Sequence, residues 1–172
     1  MSLWRKLWRR PSLDRAQPGT RVVVRGRVIA RDLIESPLTQ QHCVYYSFLI
    51  EEWRPVSLSI LRNEGVWLAV ERDEAAAEFY IDDGSGRALV SPAEALVDTS
   101  GVVPDRIETG LNRRGSEWRI EPGDLVEVSG LADTVSDHLD EARSYRDGPV
   151  RLCLRSERRL RIHIRVVERP TS

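Results

Sequence analysis

Lysine is all but missing from this chain: Lys6 is the only one among 26 basic residues, and the rest are arginine. Charge of either sign is balanced to −1 over 172 residues, which argues against a protein that coats nucleic acid by bulk electrostatics. Cysteine is scarce as well. Cys43 and Cys153 stand apart from any Cys-x-x-Cys pair, so a zinc ribbon, a RING-type zinc site and a thioredoxin motif are excluded by count. Both read as buried apolar thiols in a reducing compartment, with a disulfide between them as the alternative. No apolar run approaches the ~20 residues that span a bilayer, and no signal-peptide apolar region follows the N-terminus. Gly-rich phosphate loops, HExxH and GxSxG are absent too. The expectation is a cytoplasmic protein with no cofactor, no metal site and no catalytic residue.

What is present points to strands. Apolar residues make up 41% of the chain, enough to exclude disorder over most of a length that fits one domain with a sizeable core. Residues 78–90 carry the clearest signal: apolar runs flank Asp82-Asp83-Gly84-Ser85-Gly86. Gly84 and Gly86 tolerate positive φ, and the two acids can accept from nearby backbone N–H groups, so the segment predicts a β-hairpin. Period-two alternation predicts further strands at 21–31, 43–53, 66–70 and 125–131, and a closing pair at 150–155 and 160–167. Residues 91–117 read as irregular, and 133–147 as a polar loop with helix as an alternative. No long amphipathic helix occurs after residue 20, so the fold class is all-β with minor helix: an OB-like, closed or partly open β-barrel with extra hairpins.

The first twenty residues differ from the rest. On a helical wheel Leu3, Trp4, Leu7 and Trp8 share one face and Arg5, Lys6, Arg9 and Arg10 the other. That segregation fits an interfacial anchor lying on an anionic membrane surface. The competing reading docks the two Trp on the domain and leaves the basic face in water. A Pro/Gly linker over 11–20 leads into the β domain, expected over 21–168.

Three phrases in order carry a resemblance: Arg25-Gly26-Arg27-Val28, the Phe79–Val90 hairpin, and Pro122-Gly123-Asp124-Leu125-Val126-Glu127-Val128-Ser129-Gly130. Together they resemble an OB-fold barrel. Ser36-Pro37-Leu38-Thr39, Cys43-Val44-Tyr45-Tyr46 and the Phe79–Val90 segment further resemble the GIDE (beside-a-membrane) domain of the mitochondrial E3 ubiquitin ligase family called MULAN or MAPL, over roughly residues 21–131. In eukaryotic members that domain lies between two transmembrane helices and precedes a RING. Neither feature is found in this sequence. The resemblance therefore implies a partner-binding domain and not ligase chemistry; the basic N-terminal segment adds the expectation of a peripheral position on the inner face of a membrane. An accessory role in a ubiquitin-like transferase system would need another subunit to supply the reactive site.

Four constellations bear on chemistry. Asp82 and Asp83 are adjacent, so on a strand they diverge instead of converging on a metal or substrate, and they read as turn acids. His42-Cys43 are likewise neighbours that cannot face each other, with His138 and His163 as the only other imidazoles. On a C-terminal hairpin (150–167), Leu152, Leu154, Leu160, Ile162, Ile164 and Val166 would face inward. Arg151, Arg155, Arg159, Arg161, His163 and Arg165 would then line the outer face, a stripe whose self-repulsion needs compensation. Asp133, Asp137, Asp140, Glu141 and Asp147 are the internal candidates; nucleic-acid phosphate or anionic lipid is the external one. For single-stranded nucleic acid the stacking platforms would come from Tyr45, Tyr46, Phe48, Trp53, Trp67, Phe79, Tyr80 and Trp118. Alternation places Tyr46 and Phe48 in the core, with Tyr45 and Trp53 opposite beside Glu51. The leading expectation is a non-enzymatic module contacting an unidentified protein partner; a single-stranded nucleic-acid binder ranks second.

Overall fold

The Asp82–Gly86 cluster turns the chain as its composition demands. In the computed structural model, which describes residues 12–56, 64–135 and 152–170, β6 (Phe79–Asp82) and β7 (Arg87–Val90) form an antiparallel hairpin around it. Asp83 Oδ1 accepts from the N–H of Ser85 at 2.8 Å and of Gly86 at 3.1 Å. Asp82 Oδ1 accepts from Gly84 N–H at 2.8 Å. Only Gly84 uses the left-handed region, at φ +85°. The second oxygen of Asp83 takes the Leu13 N–H at 2.7 Å, seating Leu13 against the core at 4% exposure. These acids serve the fold, as their spacing indicated.

Strands occupy 62% of the described residues and helix 2%, so the architecture is all-β. β1 (Arg21–Ala30) pairs antiparallel with β11 (Leu125–Thr134) through residues 21–27 and with β6 through residues 27–30. β12 (Leu152–Arg155) closes the ring, antiparallel to β11 and parallel to β7. The cyclic order β1-β6-β7-β12-β11 is a closed five-stranded, OB-like barrel. One long strand serves two neighbours because Gly26 lets β6 cross against it. A Cβ on Gly26 would stand 2.4 Å from the Asp82 carbonyl oxygen.

Alternation fills the interior. Val22, Val24, Val28, Phe79, Ile81, Val90, Val126, Val128 and Leu154 point inward and are buried, each worth roughly 1.5–3 kcal/mol of apolar transfer. Tyr45 joins them at 5% exposure, contrary to its expected outward placement, while Tyr46 is half-buried. The alternation slips at Val44, which is fully buried beside Tyr45 and bonded to Ile120 on one side and Ala77 on the other.

The closing hairpin is corrected. β12 and β13 (His163–Glu168) do not pair with each other. Both run antiparallel along the same edge of β11, β12 against residues 131–134 and β13 against residues 125–129. They are two segments of one line, interrupted by an excursion over 156–162 that turns through the Glu157–Leu160 bridge. The neighbouring line is interrupted alongside, between β7 and β8 (Leu96–Asp98), which runs parallel to β13. Leu152, Leu154, Ile162, Ile164 and Val166 are buried as expected, but Leu160 lies in the excursion at 50% exposure.

Two long connections of the barrel build a second sheet. The β1–β6 connection holds a small ribbon of β2 (Ile34–Glu35) and β3 (His42–Cys43), then β4 (Tyr45–Pro55) and β5 (Gly65–Ala76). The later connection holds β9 (Asp105–Gly110) and β10 (Arg113–Ile120), where the sequence suggested irregular chain. Their order is β5-β4-β10-β9.

Candidate functional site

The second sheet is fastened from beneath by a buried polar network that the sequence reading passed over. The turn over 36–39 lies on β10, with Leu38 above Gly115, where a Cβ would come within 2.9 Å of Leu38 Cδ1. Glu117, 1% exposed, accepts from Leu38 N–H at 2.8 Å, from the Thr39 hydroxyl and from the Arg119 guanidinium at 3.0 Å. Burial alone would raise the Glu117 carboxyl, but those donors hold it below the usual carboxylate range. Arg119 also reaches Asp105 at 2.8 Å and Glu121 at 2.9 Å, and Arg169 caps its carbonyl at 2.6 Å. Glu117 and Arg119 at alternate positions of β10, with Glu121 just past its end, were the available signal. Its partners came from a turn some 80 residues earlier, which no local pattern reveals.

At the far side of the sheet, β5 has β4 on one edge and, among the described residues, no strand on the other. Among the described residues no backbone hydrogen bond crosses that outer edge. Trp53 gives its N–H to Asn112, so it spends none on Trp67, its cross-strand partner. By alternation, Gly65, Trp67 and Ala69 turn their N–H and C=O groups outward. A bulge between Ile50 and Glu51 follows and leaves Val70 as the extra residue. Val66, Leu68 and Val70 are 44%, 43% and 39% exposed, an uncommon exposure for three apolar residues on one edge strand. On one face Trp53 and Trp67 meet edge-on at 5.5 Å, and the Arg114 guanidinium lies 4.2 Å from the Trp67 ring centre, braced by Glu51 at 2.7 Å. Farther along β4 and β5 a separate groove of about 570 Å³ is lined in part by Leu49, Arg72, Glu74 and Trp118.

No family model, curated protein or solved structure matches this chain. Its site is therefore read from geometry alone.

The arginine stripe is partly neutralised from within. Arg155 is paired with Asp133 at 2.6 Å and Arg165 with Glu127 at 3.0 Å. Arg161 donates to the Glu94 carbonyl at 2.6 Å, and Arg159 and His163 are exposed. The register adds residues that the stripe reading lacked: Arg21 and Arg25 of β1 stand across β11 from Arg155 and Arg165. Of the acids proposed to cover the stripe, Asp133 does so; Asp137, Asp140, Glu141 and Asp147 lie outside the described residues, as do Arg151 and the Leu3, Trp4, Leu7 and Trp8 face. Cys43 and Cys153 are both free. Cys43 is fully buried, its thiol pushed up to about 11 chiefly by desolvation, and it donates toward the Ile34 carbonyl. A thiol in that state is no nucleophile, and His42 faces solvent on the other side of the strand. Among the described residues no three His, Cys, Asp or Glu side chains converge as metal ligands.

Proposed function

We propose that the protein is a GIDE-type protein-interaction module that receives an extended segment of a partner protein along the free edge of β5. One observation carries this reading: a long edge strand presents outward amides at Gly65, Trp67 and Ala69 beside exposed Val66, Leu68 and Val70. Main-chain pairing supplies affinity in such strand addition, and side-chain pockets on alternate positions supply selectivity. The Trp53–Trp67–Arg114 cluster offers such contacts on one face, and the groove at Leu49, Arg72 and Trp118 lies farther along the sheet. The Glu117–Arg119 network holds the platform rigid, so little ordering cost falls on the receptor side.

Panning a random-peptide display library against the full-length protein tests this. Enriched peptides are expected to lose binding to Ala69→Pro, which removes an outward donor without touching the pairing to β4, while the thermal midpoint stays near that of the wild type. No enrichment, or peptides indifferent to Ala69→Pro, would overturn the reading.

The proposal places the module at a membrane surface through residues 1–11. Co-sedimentation with anionic vesicles is expected to fall when those residues are removed, and unchanged partitioning would refute that part. Binding of single-stranded nucleic acid is the weaker reading, because Arg155 and Arg165 already spend charge on Asp133 and Glu127.

A further inference from the structure

We infer that the strand received by β5 is β5 of a second copy of this chain, in an antiparallel pairing about a two-fold axis at Leu68. The inference rests on the docking reading above and names its occupant. The segment Glu64-Gly65-Val66-Trp67-Leu68-Ala69-Val70-Glu71-Arg72 is close to self-complementary when reversed. With Leu68 opposite its own copy, Trp67 of one chain stands across from Ala69 of the other. Those are residues whose N–H and C=O groups turn outward, so the pair exchanges two hydrogen bonds and symmetry adds two more.

Leu68, whose amide faces β4, then occupies the closely spaced non-bonded position. There the two Leu68 side chains meet with Val66 and Val70 at their flanks. The end of each segment that carries Glu64 comes to the end that carries Arg72 in the other, and no like charges face each other across the apolar centre. An unrelated partner strand would have to supply this pattern; a second copy supplies it by symmetry. The bulge at Val70 ends the straight edge after Ala69, so the shared ribbon is short and the dimer is a weak, reversible one. Across the axis the two Trp67 residues lie diagonally, each with Arg114 on its ring, which gives the association an optical signature.

Sedimentation equilibrium of the full chain from about 5 µM to about 500 µM, spanning the range of weak association, reads the result. The mass is expected to rise from one chain toward two, with a concentration-dependent change in tryptophan emission. Leu68→Glu, at an exposed position and so compatible with folding, puts two like charges on the axis and is expected to abolish both changes. Because the same variant keeps residues 1–11, it separates this contact from association through the N-terminal segment. A wild-type mass that stays at one chain, or Leu68→Glu dimerising like wild type, overturns the inference. If the chain is monomeric yet display peptides still bind in an Ala69-dependent way, the second copy fails and the docking edge stands. If neither occurs, both fail.

Discussion

Removing the carboxylate of Glu117 should unfasten the second sheet from its supporting turn. In Glu117→Ala the Leu38 N–H, the Thr39 hydroxyl and one guanidinium nitrogen of Arg119 lose an acceptor at once, in a place with 1% exposure. Truncating one member of a buried, hydrogen-bonded ion pair typically costs 3–5 kcal/mol. Arg119 keeps Asp105 and Glu121 here, so the lower end applies, about 3 kcal/mol. Glu117→Gln retains shape and one acceptor oxygen and should cost about 1–2 kcal/mol. Urea titration of both variants reads these losses, and amide exchange over residues 36–43 should accelerate more than exchange in β11. The pH dependence has a fixed sign. The Glu117 carboxyl is held down in the folded state, so its contribution is complete above the unfolded carboxyl value and is lost as pH falls through the folded one. Glu117→Ala should therefore flatten the acid limb of the stability curve. A loss below about 0.5 kcal/mol, the ordinary range for surface substitutions, would refute the network as a fastening.

Gly26→Ala forces a Cβ to 2.4 Å from the Asp82 carbonyl oxygen, an overpacking against backbone, and should destabilise by about 3 kcal/mol by thermal or urea melting. Asp83→Ala should free residues 12–16, seen as faster proteolysis N-terminal to β1, because the Leu13 N–H and the Ser85 and Gly86 donors lose their acceptor. Asp83 is also held below its ordinary range by those hydrogen bonds, against the opposing effect of burial, so its share of stability is present at neutral pH and disappears on acidification. Cys43 should resist a thiol-selective disulfide reagent at pH 8 until the protein is unfolded, given burial and a thiol near 11; rapid native labelling of Cys43 would contradict that.

Much of the barrel was legible from local pattern. The Asp82–Gly86 turn, the Gly in β1 and the alternation of Val22, Val24 and Val28 are short-range signals, and each has a short-range cause. Where a feature depended on distant chain, the pattern misled. Two apolar runs of like phase around residues 156–161 look the same whether the chain reverses or makes an excursion and resumes its line. Pairing with β11 decides for the excursion. β9 and β10 lie in a stretch that Pro92, Gly101, Pro104, Gly110 and Gly115 mark as loop, yet Gly115 sits inside β10, where Leu38 lies over it. Glu117 and Arg119 carry no local sign of their burial, because their partners Leu38 and Thr39 lie some 80 residues earlier. Arg155, Arg159, Arg161 and Arg165 are exposed, but they do not share a hairpin, and the neighbouring arginines of β1 appear only through the register with β11. For the candidate edge the legible part was the strand at 66–70. That no described strand lies outside it belongs to the topology and has no local signature.

The most direct test of β5 as the docking edge is residue-resolved amide exchange on the protein with a display-selected peptide bound. Trp67 and Ala69, whose N–H groups turn outward, should slow by at least about tenfold, one decade per ~1.4 kcal/mol of protection, while Val66 and Leu68, already bonded to β4, should change little. Protection that leaves Trp67 and Ala69 untouched, or that falls on the barrel instead, would contradict the account.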